Sequence, residues 1–106
     1  MPTADEIREA LKPVEDPELH VSVVDLGLIY GVEAQDDPTG GGTHVQVAMT
    51  LTSPACPYGP MLLGQVHATV QRMPGVKSMK VNLVWNPPWD PRTMASEEAK
   101  MELGIS

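Results

Sequence analysis

Four side chains in this sequence have the chemistry to ligate a soft metal or to act as a nucleophile with its base: Cys56, His20, His44 and His67. Cys56 lies in Thr52-Ser53-Pro54-Ala55-Cys56-Pro57-Tyr58-Gly59-Pro60, a stretch stiffened by its prolines. Pro60 has no N–H to give to a preceding turn, so a helix starting here takes Gly59 as N-cap and Pro60 as its first residue. Cys56 then falls just ahead of a helix N-terminus, where free N–H groups and the helix dipole favour a thiolate. Such a thiolate is a candidate metal ligand or nucleophile. The alternative is an inert, buried thiol, the usual state of a lone cysteine. Position alone leaves the two open.

One thiolate does not close a metal site, which needs about four protein ligands. None of the histidines stands at a CxxC or HExxH spacing. His44 falls on the polar side of a strand pattern and His67 on the polar side of a helix pattern, so both read as solvated. His20, next to Glu15-Asp16-Pro17-Glu18, is the remaining weak candidate ligand. That acidic stretch lacks the ligand spacing of a calcium loop and reads as a solvated turn. A cysteine–histidine enzyme needs its pair close only in space, but no oxyanion hole or orienting third group is legible.

Asp25 is set inside Val23-Val24-Asp25-Leu26-Gly27-Leu28-Ile29-Tyr30, and a carboxylate in an apolar run needs a partner. It is expected to cap backbone N–H groups where a strand begins, or else to line a site. Trp85, at the end of a strand pattern, is expected in the core. Trp89 follows Pro87 and Pro88, which stiffen its backbone, and is expected to offer a partner-docking surface or a lid over a neighbouring loop.

These residues must be positioned by a small set of elements. Thr3 and Glu6 have capping-box spacing ahead of Ile7, Ala10 and Leu11, which predicts a helix over residues 4–12, stopped by Pro13. Residues 21–34 read as a strand, with Gly27 and Gly31 marking a bulge or a close backbone approach. Asp36-Asp37-Pro38-Thr39-Gly40-Gly41-Gly42 is a turn. Val45, Val47, Met49 and Leu51 then alternate with polar or small residues, completing a hairpin. A helix over residues 60–72 carries Leu63, Val66, Val70 and Met73 on its apolar stripe, and Pro74-Gly75 ends it. A third strand follows over residues 77–85, and Ser96 caps a last helix that runs to Leu103 before Gly104.

The order is α-β-β-α-β-α. Alternation in the second and third strands leaves one sheet face wet, so the expected fold is α+β: a two-layer sandwich, a small mixed or antiparallel sheet with helices on one face. At 106 residues the whole chain, 1–106, reads as one domain. There is no Phe, so Val, Leu, Ile and seven Met must build the core.

Seven Lys and Arg residues against 14 acidic ones give a net charge of −7, and no Lys or Arg occurs between Lys12 and Arg72. This argues against nucleic acid and against an anionic membrane surface, both of which require basic groups. It favours a partner with a cationic patch. No apolar run reaches the ~20 residues of a membrane span, and residues 1–8 lack the pattern of a secretory signal. A single cysteine suits a reducing compartment, so a cytoplasmic location is expected.

Four motifs occur in order: Asp16-Pro17-Glu18, the run from Val24 to Tyr30, Leu51-Thr52-Ser53-Pro54-Ala55-Cys56-Pro57, and Val84-Trp85-Asn86-Pro87-Pro88-Trp89. Together they resemble the SufT/PaaD-like family of iron–sulfur cluster assembly proteins, to which a eukaryotic cytosolic cluster-targeting factor is related. The likeness spans nearly the whole chain. It implies a carrier or targeting factor that assists maturation of iron–sulfur proteins, and it makes Cys56 the family's cysteine, a transient ligand to iron or a cluster with none tightly bound. Asp16, Glu18, Asp25 and Thr52 fall in the other shared motifs and are expected to support the site. Ala55 stands where the family often has another residue. The implied partners are iron–sulfur assembly proteins and client apoproteins. Two copies of the chain could also share a cluster, which draws thiolates from several cysteines. The competing expectation is a non-catalytic adaptor with a structural Cys56, including an accessory to one multicomponent oxygenase as in the PaaD branch.

Overall fold

The structure, a computed structural model, describes residues 2–52 and 57–105. Its elements run α1 (Ala4–Leu11), β1 (Ile29–Asp36), β2 (Thr43–Met49), α2 (Gly59–Gln71), β3 (Val76–Leu83), α3 (Pro91–Met94) and α4 (Glu97–Leu103). The expected order is present, with α3 as one additional short helix.

Helix α1 starts as its capping box requires: the Thr3 hydroxyl accepts from the Glu6 N–H, and the Glu6 carboxylate accepts from the Thr3 N–H. Ile7 and Leu11, one helical turn apart, are its buried pair. Helix α2 begins one residue earlier than expected, with Tyr58 as N-cap, Gly59 first and Pro60 second. Its buried residues are Gly59, Leu62, Val66 and Val70, while Leu63 and Met73, expected on the apolar stripe, pack against the core partly buried. A Cβ at Gly59 would stand 2.8 Å from Leu51 Cδ1, so glycine lets the start of α2 close onto the end of the β2 segment.

The sheet order is β1-β2-β3. β1 and β2 form the expected antiparallel hairpin, with Val32 opposite Val47 and Ala34 opposite Val45. β2 and β3 are parallel, which makes the sheet mixed. A parallel neighbour needs a crossover, and α2 supplies it. Val45, Val47 and Met49 point to the helical side and are buried. They share one core with Ile7, Leu11, Leu62, Val66 and Val70. His44, Gln46 and Ala48 point the other way, to a face left open. His44 is solvated as expected, with Nδ1 2.6 Å from Ser78 Oγ, and His67 is exposed on α2.

The expected first strand is half wrong. Residues 21–28 fold as successive turns, with Leu26 N–H bonded to Ser22 O at 2.9 Å and Gly27 N–H to Val24 O at 3.1 Å. Val21, Val23, Leu26 and Leu28 are nonetheless buried. Turns can bury as much apolar surface as a strand, so the apolar run did not distinguish them. The register shift between Ile29 and Gly31 is the bulge that the glycines signalled.

Candidate functional site

The Cys56 expectation falls on residues 53–56, which lie outside the described residues. Its two flanks are described. Thr52 follows β2 by three positions, and Pro57 and Tyr58 lead into α2, so the segment bridges the end of the central strand and the start of the crossover helix. Among the described residues no side chain caps α2, and its first turn holds no acidic residue, so its leading N–H groups and positive dipole end have no anionic neighbour on the helix itself.

Thr52 lines a groove of about 240 Å³ together with Leu51, Trp85, Pro88 and Trp89. The two indoles exchange the roles expected of them. Trp85 lies beyond the end of β3 and is 43% exposed. Trp89 is half-buried against the core, and its Nε1–H donates to Leu26 O at 2.8 Å. Trp89 thus lies over the turn at Leu26, and Trp85 is the more exposed of the two indoles. Tyr58 and Met61, at the start of α2, add exposed apolar surface.

Thr50, next to the groove residue Leu51 in the chain, is buried, and its hydroxyl faces the Tyr30 phenol. Nearby, the Tyr30 hydroxyl donates to Pro87 O at 2.7 Å and lies 3.6 Å from Met94 Sδ. Burial pushes the Tyr30 phenol above its ordinary pKa, against a smaller lowering by the neighbouring Thr50. Tyr30 therefore stays protonated and able to donate, which fixes the Pro87 turn to β1.

Asp16 is fully buried and organises the turn after α1. Its Oδ1 accepts from the N–H groups of Glu18 at 2.8 Å and Leu19 at 3.1 Å. The capping role expected of Asp25 thus belongs to Asp16. Asp25 instead contributes its backbone: its carbonyl accepts the Ser96 N–H at 2.7 Å, tying the turns to the start of α4. The Asp25 side chain lines a polar hollow of about 330 Å³ with Lys12, Glu15, His20, Glu98 and Glu102. His20 stands there with a φ of 57°, a left-handed conformation. Among the described residues no three His, Cys, Asp or Glu side chains converge as a metal site. Glu18 contributes an N–H to the turn and leaves its side chain exposed.

Asp16, Glu18 and Asp25 therefore shape the turns beneath the core, and Thr52 alone of the four expected supporting residues lines the groove beside the cysteine segment. Sequence reasoning missed Tyr30 and Thr50. Tyr30 ends the motif of residues 24–30 but has no role assigned there, and only the register of the bulge and the end of β2 bring the two together.

A family model described as "iron-sulfur cluster assembly protein" matches residues 4–83. The chain is 46% identical over 93% of its length to the Fe-S protein maturation auxiliary factor YitW of Bacillus subtilis (strain 168), covering 91% of that protein. It is 42% identical over 88% of its length to the Fe-S protein maturation auxiliary factor SufT of Staphylococcus aureus (strain USA300), covering 99% of it. Among solved structures, a domain of unknown function from Bacillus anthracis superposes with a TM-score of 0.81 at 36% identity, over 97% of this chain and 92% of that one. The SufT-like resemblance, and an α+β fold with a small mixed sheet, are both matched over most of the chain. The chain belongs to the iron–sulfur cluster assembly protein family.

Proposed function

We propose that this protein assists the maturation of iron–sulfur proteins as a carrier or targeting factor, with Cys56 as a transient thiolate ligand to iron or a cluster in transit. The observation that supports this reading most is the setting of the cysteine segment. It joins the central strand to a helix start that no side chain among the described residues caps, and an exposed apolar groove runs beside its first flank. The relatives named as maturation auxiliary factors point to the same process. Free N–H groups favour an anion, either a thiolate or the net-negative cluster it would hold. One thiolate per chain leaves the cargo under-coordinated, which suits release to an acceptor. The cargo is thus a substrate in transit, and the partners are assembly proteins and client apoproteins.

The test is anaerobic reconstitution with iron and sulfide, comparing the parent chain with Cys56→Ser by visible absorption and by transfer to an apoprotein. Loading and transfer are expected to fall sharply in Cys56→Ser. Equal loading of the two would remove the thiol from the mechanism. The second reading, an adaptor with a structural cysteine, is favoured by the exposure of Trp85, Tyr58 and Met61. It requires Trp85→Ala to weaken partner capture while Cys56→Ser leaves it intact. An accessory to a single oxygenase system would show one dominant captured partner.

A further inference from the structure

The open face of the sheet carries a charge pattern that is complementary to itself. In register, Glu33 on β1, Gln46 on β2 and Lys80 on β3 form one row straight across the sheet. Glu33 and Lys80 are exposed, and among the described residues neither takes part in an ion pair. The row therefore places one unpaired acid and one unpaired base at opposite edges, with an amide between them. The adjoining row, Gly31, Ala48 and Asn82, is made of small residues and forms a shallow depression of about 100 Å³ with Glu33 and Gln46. A Cβ at Gly31 would meet nothing within 4 Å, so the depression is open to an incoming surface.

We propose that this face is where two copies of the chain meet, sheet on sheet, about a two-fold axis running along β2. Only that axis exchanges the two edges of the sheet. It sets Glu33 of each copy against Lys80 of the other, and Gln46 against its own counterpart, in the aligned face-to-face packing that twisted sheets adopt at about 10 Å separation. An in-plane axis perpendicular to the strands would oppose Glu33 to Glu33 and Lys80 to Lys80, and like charges in apposition disfavour it. Small residues at Gly31 and Ala48 allow the close approach. The pairing along β2 also keeps the strand directions parallel between copies, so both chains leave β2 for their cysteine segments at the same end of the dimer.

Three strands and about seven residues span roughly 14 by 23 Å, or about 300 Å² of flat contact per copy. Stable complexes bury about 800 Å² per partner. The dimer is accordingly weak and reversible in the free chain. The inference does not depend on the role proposed for Cys56, and its test removes that thiol.

The experiment is cross-linking of Gln46→Cys in a Cys56→Ser background with a short bismaleimide, because facing thiols on sheets about 10 Å apart are too far for a direct disulfide, with sedimentation across a concentration series alongside. A cross-linked dimer is expected. Adding Lys80→Glu is expected to lower its yield about tenfold, because it sets like charges against each other twice over. Adding Glu33→Lys as well swaps the charges and is expected to restore the yield. Absence of cross-linking overturns the proposal, as does a cross-link indifferent to Lys80→Glu or one that the double reversal fails to rescue. A dimer seen in sedimentation that ignores both reversals places the contact on another surface and overturns it equally.

Discussion

The indole N–H of Trp89 reaches back 63 positions to the carbonyl of Leu26, 2.8 Å away. This bond fastens the rigid loop after β3 to the turns that precede β1. It acts with Tyr30, whose hydroxyl holds Pro87 of the same loop. Two contacts from opposite ends of the loop thus fix the wall of the groove beside Thr52, and leave Trp85 standing out from it.

Trp89→Phe keeps most of the aromatic volume but leaves the Leu26 carbonyl unpaired. We expect it to destabilise the chain by about 1–2 kcal/mol. Trp85→Ala, at an exposed position, should stay within about 0.5 kcal/mol of the parent. Urea denaturation of both variants checks the pair. Equal losses would mean that the two indoles do not divide structure and surface in this way.

Gly27 carries a second joint of the same assembly. Its φ is +80°, and a Cβ there would stand 2.3 Å from the Met94 carbonyl oxygen. Backbone cannot yield as a flexible side-chain end can. Gly27→Ala therefore adds left-handed strain to a steric clash with α3, and should cost more than about 1–2 kcal/mol. The checks are the denaturation midpoint and amide shifts at residues 90–96. A stability unchanged by Gly27→Ala would show that α3 is free to move away.

Asp16 offers the sharpest test of the turn after α1. Replacing it with Ala leaves the N–H groups of Glu18 and Leu19 without their acceptor in a buried site. A loss of about 1–3 kcal/mol is expected, and Asp16→Asn, which keeps a side-chain oxygen, should lose less. Hydrogen exchange at Glu18 and Leu19 reads the local effect directly. Unchanged exchange there would refute the capping role.

How much of this was legible in the sequence depends on range. The capping box of Thr3 and Glu6, the alternation through Val45, Val47 and Met49, and the Ser96 cap of α4 are local signals, and each element forms where its signal stands. Residues 21–28 were misread as strand because burial by turns and burial by pairing produce the same apolar run. The exchange between Trp85 and Trp89 was illegible for a different reason. Which indole is covered depends on where the Leu26 carbonyl lies, and that is a tertiary fact. The acid–base row of Glu33 and Lys80 likewise exists only through the parallel register of β3, which the sequence reading left open.

The hairpin end of the sheet makes a prediction in pH. Asp37 accepts from Lys77 Nζ and from the Thr39 N–H, with His44 Nε2 at 3.9 Å. The Lys77 ammonium is the main cause, with Thr39 second, of a carboxyl pKa lowered from the ordinary 3.8 to about 2. A lowered carboxylate pKa means that the ionised form is favoured by folding. Its contribution is complete above the ordinary value and is lost as pH falls from about 4 to about 2. Lys77→Met removes the main cause, so the Asp37 pKa should rise towards 3.8 and the acid midpoint of the hairpin should move up in pH. Carboxyl carbon titration by NMR, followed with the amide signals of Thr39 and Gly40, measures both. An Asp37 that already titrates near its ordinary value in the parent chain would show that the Lys77 contact is not formed in solution.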